Sequence, residues 1–184
     1  IGPAKAPLAS TVKASDLPLD MTEPRLVYED ANIRVHAITV NHYVLAPSVP
    51  TKLMPQAVAY RVEAGGKTWV YTGDTGPSAG LEKLARGADI LVTEVVDLHA
   101  IDGQLAKVPG MPEAVRQNLV EGMRVNHLPA EEIGKLAKAA GVKRIVLTHF
   151  VPSPEAIADP MEMVRAIHRH FDGPVTIASD LERF

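Results

Sequence analysis

The chain has 184 residues, 46% apolar and 22% charged, which suits one soluble domain with its own hydrophobic core. Its formal charge of -3, from 19 basic and 22 acidic side chains, gives no electrostatic reason to expect nucleic acid as a partner, and no apolar run approaches the roughly 20 residues of a membrane helix. Cysteine is absent, so disulfides and thiolate metal sites are excluded and any transition metal must be held by His, Asp or Glu.

Residues 1–32 hold Pro3, Pro7, Pro18 and Pro24 with little periodicity, and read as a loop or extended arm ahead of a domain at 33–184. The β-branched run from Ile33 to Val40 predicts a strand that ends in Asn41-His42. Pro47, Pro50 and Pro55 break up the loop that follows. Ala57 to Ala64, the Gly65-Gly66 turn and Thr68 to Thr72 predict a hairpin, closed by Gly73-Asp74-Thr75-Gly76. A short helix near Ala79 to Arg86 leads to a buried strand from Ile90 to Val95, and Asp102 to Gly110 reads as loop. Pro112 opens a helix that runs to Val125. Pro129 starts another, stopped by Gly141. A strand from Lys143 to Phe150, a helix from Asp159 to Phe171 and a strand from Val175 to Ser179 complete the chain. Hairpins first and helix–strand alternation later predict an α/β domain with helices covering a mixed sheet.

Four chemically capable side chains fall at element ends. His42 lies just beyond the first strand, Asp74 just beyond the hairpin and His149 at the end of the Lys143 to Phe150 strand. His127 directly precedes a helix, in Asn126-His127-Leu128-Pro129. Strand ends carry side chains rigidly into crevices, and imidazole and carboxylate are suitable donors for zinc, iron or manganese. Each position also has a plain structural reading. A histidine at a strand end can simply be hydrogen-bonded at the surface, and Gly-Asp-Thr-Gly can simply be a turn.

The wording and order of these segments are similar to a known family. VYTGDTGPSAGLEKLARGADILVTEV resembles the fourth motif region of the metallo-β-lactamase superfamily, VNH at 40–42 resembles its third motif, and VKRIVLTHFVP resembles its fifth. NHLPAEEIGKLAKAAGVKRIVLTHF looks like a stretch shared by ribonuclease Z and arylsulfatase-like members, and DGPVTIASDLERF resembles the end of the latter. The similarity covers residues 33–184. The resemblance implies the C-terminal portion of an αββα sandwich and a site with two divalent metal ions, zinc before manganese or iron. It implies that His42 binds one metal, Asp74 both, and His149 the other, with His127 as general acid. Glu94 has the place of a supporting carboxylate, or of an ordinary sheet-end carboxylate in a local hydrogen bond.

Two departures from the family pattern stand out. The His-x-His-x-Asp-His motif that should precede His42 is missing, since residues 1–41 contain only His36. With Ile1 in place of Met, the expectation is that the missing ligands lie in an N-terminal half of the same fold, outside these residues or in another chain. His127 is followed by Leu128 where Ser or Thr is expected, which weakens its assignment. His168-Arg-His170-Phe-Asp172 spells part of the missing motif, but Gly173 replaces the closing histidine and the run falls at a helix end, where residues two apart diverge. His36 and His99 have no identifiable partner.

The function expected is hydrolysis of an ester-type bond (phosphodiester, sulfate ester, carboxylic ester or lactone) by a metal-bound hydroxide, acting on a small-molecule substrate. Two alternatives are carried: a ribonuclease Z-like tRNA 3'-processing endonuclease, and a non-catalytic half-domain kept for partner binding. A homo-oligomer is compatible with the sequence, and cytoplasm and periplasm are both open. The loop from Tyr43 to Pro55 and the segment from Leu98 to Gly110 are expected to border the pocket, with Met54 and Met111 on an apolar rim.

Overall fold

The computed structural model describes residues 12–18, 20–43 and 55–183, and the statements below concern those residues. Met54 and most of the loop from Tyr43 to Pro55 lie outside them, and the expectation about that rim lies outside with them.

One sheet runs through the chain in sequence order. Its strands are β1 (Arg25–Glu29), β2 (Ile33–Val40), β3 (Ala57–Ala64), β4 (Lys67–Tyr71), β5 (Ile90–Val96), β6 (Ile145–Val151) and β7 (Val175–Ile177). The first four are antiparallel, and β4 to β7 are parallel. The change follows from the connections. Gly65 and Gly66, with φ of 55° and 71°, make the tight primed turn that suits an antiparallel hairpin. Parallel neighbours need a crossover, which helices provide: α1 (Ala79–Ala85) before β5, α2 (Leu98–Leu105), α3 (Glu113–Asn126) and α4 (Ala130–Ala140) before β6, and α5 (Pro160–His168) before β7.

Register assigns the faces. Ile38 pairs with Ala59, and Arg61 with Val70, so all four point to one side. On that side the Arg61 guanidinium donates to the carbonyls of Leu84 and Arg86 at 3.0 and 2.8 Å, satisfying the last turn of α1. The core lies here: Ile38, Val70, Leu91, Ile145 and Leu147 from the sheet meet Leu81, Leu84, Ile133 and Ile167 from α1, α4 and α5. The opposite side carries the rows Val35–Val62–Trp69 and Tyr60–Tyr71, only partly buried, with Tyr28 and Tyr71 exposed. Apolar side chains on such a face are what a second sheet covers in a sandwich.

Most elements fall within three residues of their predicted bounds, and two differ. β1 lies inside the stretch read as loop or extended arm. It is an exposed edge strand with a register shift between Leu26 and Tyr28, so no clean alternation marks it. The loop expected from Asp102 begins inside α2, which starts at Leu98 with the Asp97 side chain accepting from the Ala100 N–H. None of its residues is buried and Gly103 interrupts it, so the apolar stripe that reveals a helix is missing.

Helices α4 and α5 cross at Gly134, where an added Cβ would lie 2.6 Å from the Ile167 carbonyl oxygen. Gly134→Ala is expected to lower stability by about 1–3 kcal/mol in urea unfolding. An unchanged midpoint would mean that the helices are not in such close contact.

Candidate metal centre

Strands β2 and β4 point the same way as the parallel strands beside them, so the segments after them and the ends of β5 and β6 meet at one rim of the sheet. Crevices at this end of α/β sheets are common ligand sites. Asp74 Oδ2 lies 3.9 Å from His42 Nε2 and 3.3 Å from His149 Nε2. The His127 ring stands 5.0 Å from that of His42, nearly perpendicular to it. Its Nδ1 is 2.6 Å from Glu94 Oε2. The four residues singled out at element ends, and Glu94, therefore converge.

Each is held by its own local structure. Gly73, at φ 58°, turns the chain so that Asp74 leaves the end of β4 towards the rim. The next two backbone N–H groups are both used: Thr75 donates to Glu94 Oε1 and Gly76 to the Asn41 carbonyl, each at 2.5 Å. The second of these bonds ties the segment bearing His42 to the one bearing Asp74. His42 Nδ1 is 2.9 Å from the Asn126 carbonyl, which can only accept, so Nδ1 carries the proton. In the neutral ring, Nε2 then presents a lone pair towards Asp74.

His149 is placed by an irregularity. Thr93 pairs with Leu147 but Val95 with Phe150, so Thr148 and His149 together face Glu94. Such a bulge re-aims a side chain. It leaves His149 at φ 43°, a left-handed conformation costing roughly 1–2 kcal/mol.

Glu94 is 1% exposed. Burial pushes its carboxyl pKa up, against the pull of hydrogen bonds from His127 and the Thr75 N–H, and the net direction is upward. For His127, burial works against the cation, but the hydrogen bond and charge of Glu94, with the charge of Asp74 behind them, outweigh it and the pKa rises. Two donors face the Glu94 oxygens, so the arrangement holds a proton on His127 Nδ1, and the raised His127 pKa favours the imidazolium over the neutral ring.

Two donors bound about 2.1 Å from a tetrahedral ion stand roughly 3.4 Å apart. The separations of 3.3 and 3.9 Å around Asp74 Oδ2 lie close to this value. In kind and spacing the three side chains therefore fit a divalent ion on either side of the carboxylate. In number they fall short: each position has two donors, and among the described residues no group of three or more His, Asp or Glu side chains could hold a metal ion. The remaining histidines lie apart. His168 Nδ1 faces the Phe171 carbonyl, His170 Nε2 faces Glu131, His99 is exposed, and His36 Nδ1 is buried without a partner.

Residues 6–150 match the family model for the beta-lactamase superfamily domain. The chain belongs to that superfamily. Ribonuclease Z of Mycolicibacterium paratuberculosis is 31% identical over 158 residues, covering 85% of this chain and 49% of that protein. Among solved structures, the metallo-beta-lactamase fold protein YhfI from Bacillus subtilis aligns with a TM-score of 0.57 at 20% identity, over 85% of this chain and 50% of that one. Zn(2+)-bound PqqB from Methylobacterium extorquens aligns with a TM-score of 0.54 at 22% identity, over 87% and 52%. These likenesses establish the α/β fold as that of the metallo-β-lactamase superfamily, a family of metal-dependent hydrolases. The chain spans about half the length of the curated relatives it matches. No helix among the described residues is long and apolar enough to cross a membrane. The expectation that nucleic acid is an unlikely partner finds no support, because a relative is named for a ribonuclease. Net charge averages over the whole surface and says little about one local contact.

The raised pKa of His127 means that the folded protein holds this proton more tightly than the unfolded chain does. Its stabilising contribution is fully present below the unfolded-state pKa and is lost as pH rises through the folded value. Glu94→Gln removes the charge that raises it, so NMR titration should show the His127 midpoint moving down. A midpoint that stays in place would contradict the pairing.

Proposed function

We propose that this protein hydrolyses an ester-type bond (phosphodiester, sulfate ester, carboxylic ester or lactone) at a divalent-metal site to which His42, Asp74 and His149 contribute. The supporting observation is the single carboxylate oxygen of Asp74 set between two imidazole Nε2 atoms at 3.9 and 3.3 Å. Zinc is the first choice of metal, for borderline N/O donors, and manganese and iron share the donor preference. The two donors at each position are completed from outside the described residues. This sequence contains no His-x-His-x-Asp-His run.

A metal pair at such a site acidifies water and offsets charge on the attacked centre. The chain's own residues supply the rest. Asp74 offers one carboxylate oxygen between the two imidazoles, where it would be a donor shared by both positions. His42, with its Nδ1 proton engaged by the Asn126 carbonyl, keeps Nε2 free as a donor. Glu94 holds the Nδ1–H of His127, which leaves the Nε2–H of the imidazolium to protonate the departing oxygen. Leu128 in place of the expected Ser or Thr does not disturb this, because the proton is held by Glu94 and Leu128 is buried in the core.

A ribonuclease Z-like activity is the second reading, favoured by the 31% identity to a protein of that name. Both readings are tested on the intact zinc-loaded protein with phosphodiester, sulfate ester, carboxylic ester, lactone and RNA substrates. Asp74→Asn is expected to lower kcat/KM about 100-fold or more for the substrate that is turned over. His127→Ala is expected to cost about 100-fold with an alkoxide leaving group and much less with nitrophenolate, which needs no proton. Equal losses on the two leaving groups would remove His127 as the acid, and zinc-independent turnover would remove the metal site.

A further inference from the structure

We propose that Gly76 is a positioning residue for His42, acting through the last turn of α3. The inference rests on the reading of His42 as a metal donor and extends it to residues that touch no reacting atom.

Helix α3 has no buried residue, and Val115 and Leu119 on it are 47% and 45% exposed. Within the helix no core residue fixes where it ends; Leu128 just beyond it is buried, and the end itself is seated against Gly76. A Cβ on Gly76 would lie 1.9 Å from the Val125 carbonyl oxygen and 2.6 Å from the Val125 carbonyl carbon, so only glycine admits this approach. The next carbonyl along the chain, that of Asn126, accepts the His42 Nδ1–H at 2.9 Å. Gly76 also donates its N–H to the Asn41 carbonyl at 2.5 Å, and the Asn41 side chain donates to the Pro77 carbonyl at 2.9 Å. One short loop thus clamps both the backbone before His42 and the carbonyl that selects its tautomer.

The distances set the sensitivity. Real Cβ contacts essentially never fall under 3.0 Å, so a methyl at Gly76 must drive Val125 back by about 1 Å. A displacement of that size carries the adjoining 2.9 Å bond past the range in which it counts as a hydrogen bond. The neutral His42 ring then loses the acceptor that keeps its proton on Nδ1. The lone pair of Nε2 is no longer held towards Asp74.

The test is 15N-resolved NMR of the histidine rings in metal-free protein at alkaline pH, followed by zinc titration. Gly76→Ala is expected to shift His42 Nδ1 away from its protonated signature and to weaken zinc binding about tenfold or more. Gly122→Pro, which kinks α3 one turn ahead of its end and re-aims that end without touching the loop, is expected to do the same. Gly122→Ala meets nothing within 4 Å and should leave His42 as it was. A folded Gly76→Ala protein with unchanged His42 signals overturns the proposal. If circular dichroism shows that variant unfolded, unchanged His42 signals in Gly122→Pro overturn it. Zinc that fails to perturb His42, Asp74 and His149 in the unaltered protein sinks the metal reading, while the metal-free spectra still decide the role of Gly76.

Discussion

The rim of this sheet is organised around a buried carboxylate. Glu94 sits on a central strand at 1% exposure, where an unpaired charge costs several kcal/mol. Its two oxygens meet that cost in different directions: one accepts the Thr75 N–H beside Asp74, the other the Nδ1–H of His127. Satisfying one buried group thereby fixes two segments far apart in sequence, the turn after β4 and the residue after α3. His42 and His149 approach from either side of the turn so fixed. Losing Glu94 would remove the partner of the Thr75 N–H beside Asp74 and the acceptor of the His127 Nδ1–H.

The sheet makes this convergence possible because its two halves obey different connection rules. Direct connections, with no helical crossover needed, deliver β2 to β4 as an antiparallel meander, and helical crossovers deliver β5 to β7 in parallel. Because β2 and β4 run the same way as β5 and β6, their ends share one rim. Two backbone features on that rim store strain or tolerate closeness that ordinary positions do not. His149 occupies a left-handed conformation within a bulge, and Gly76 accepts a carbonyl where a side chain would sit. Strain concentrated at one rim is a common mark of functional sites.

Much of this was legible in the sequence. Strong periodicity, glycine turns and prolines at helix starts placed β2 to β7 and the helices α1, α3, α4 and α5 close to where they lie. Position at element ends, joined with motif wording, brought out His42, Asp74, His127 and His149. The edge strand β1 and the helix α2 escaped because neither buries a periodic stripe, and burial is what writes such a stripe into a sequence. The bulge at His149 also left no signal, since register is a property of two strands together. The same holds for Asn126. Its side chain gives no hint, because the carbonyl that faces His42 is common to every residue. Gly76 read as part of a turn, whereas its closest constraint comes from a helix about 50 residues further along the chain.

The donors around Asp74 come in twos, and a hydrolytic metal ion needs more than two protein donors. The central claim is therefore that this carboxylate, with an imidazole on each side, is where metal binds. Anomalous diffraction at the zinc edge from crystals grown with zinc tests it directly. The account predicts a peak about 2.0–2.2 Å from Asp74 Oδ2 and from the Nε2 of His42 or His149. Zinc found only elsewhere on the molecule, with the rim at Asp74 holding none, would contradict it.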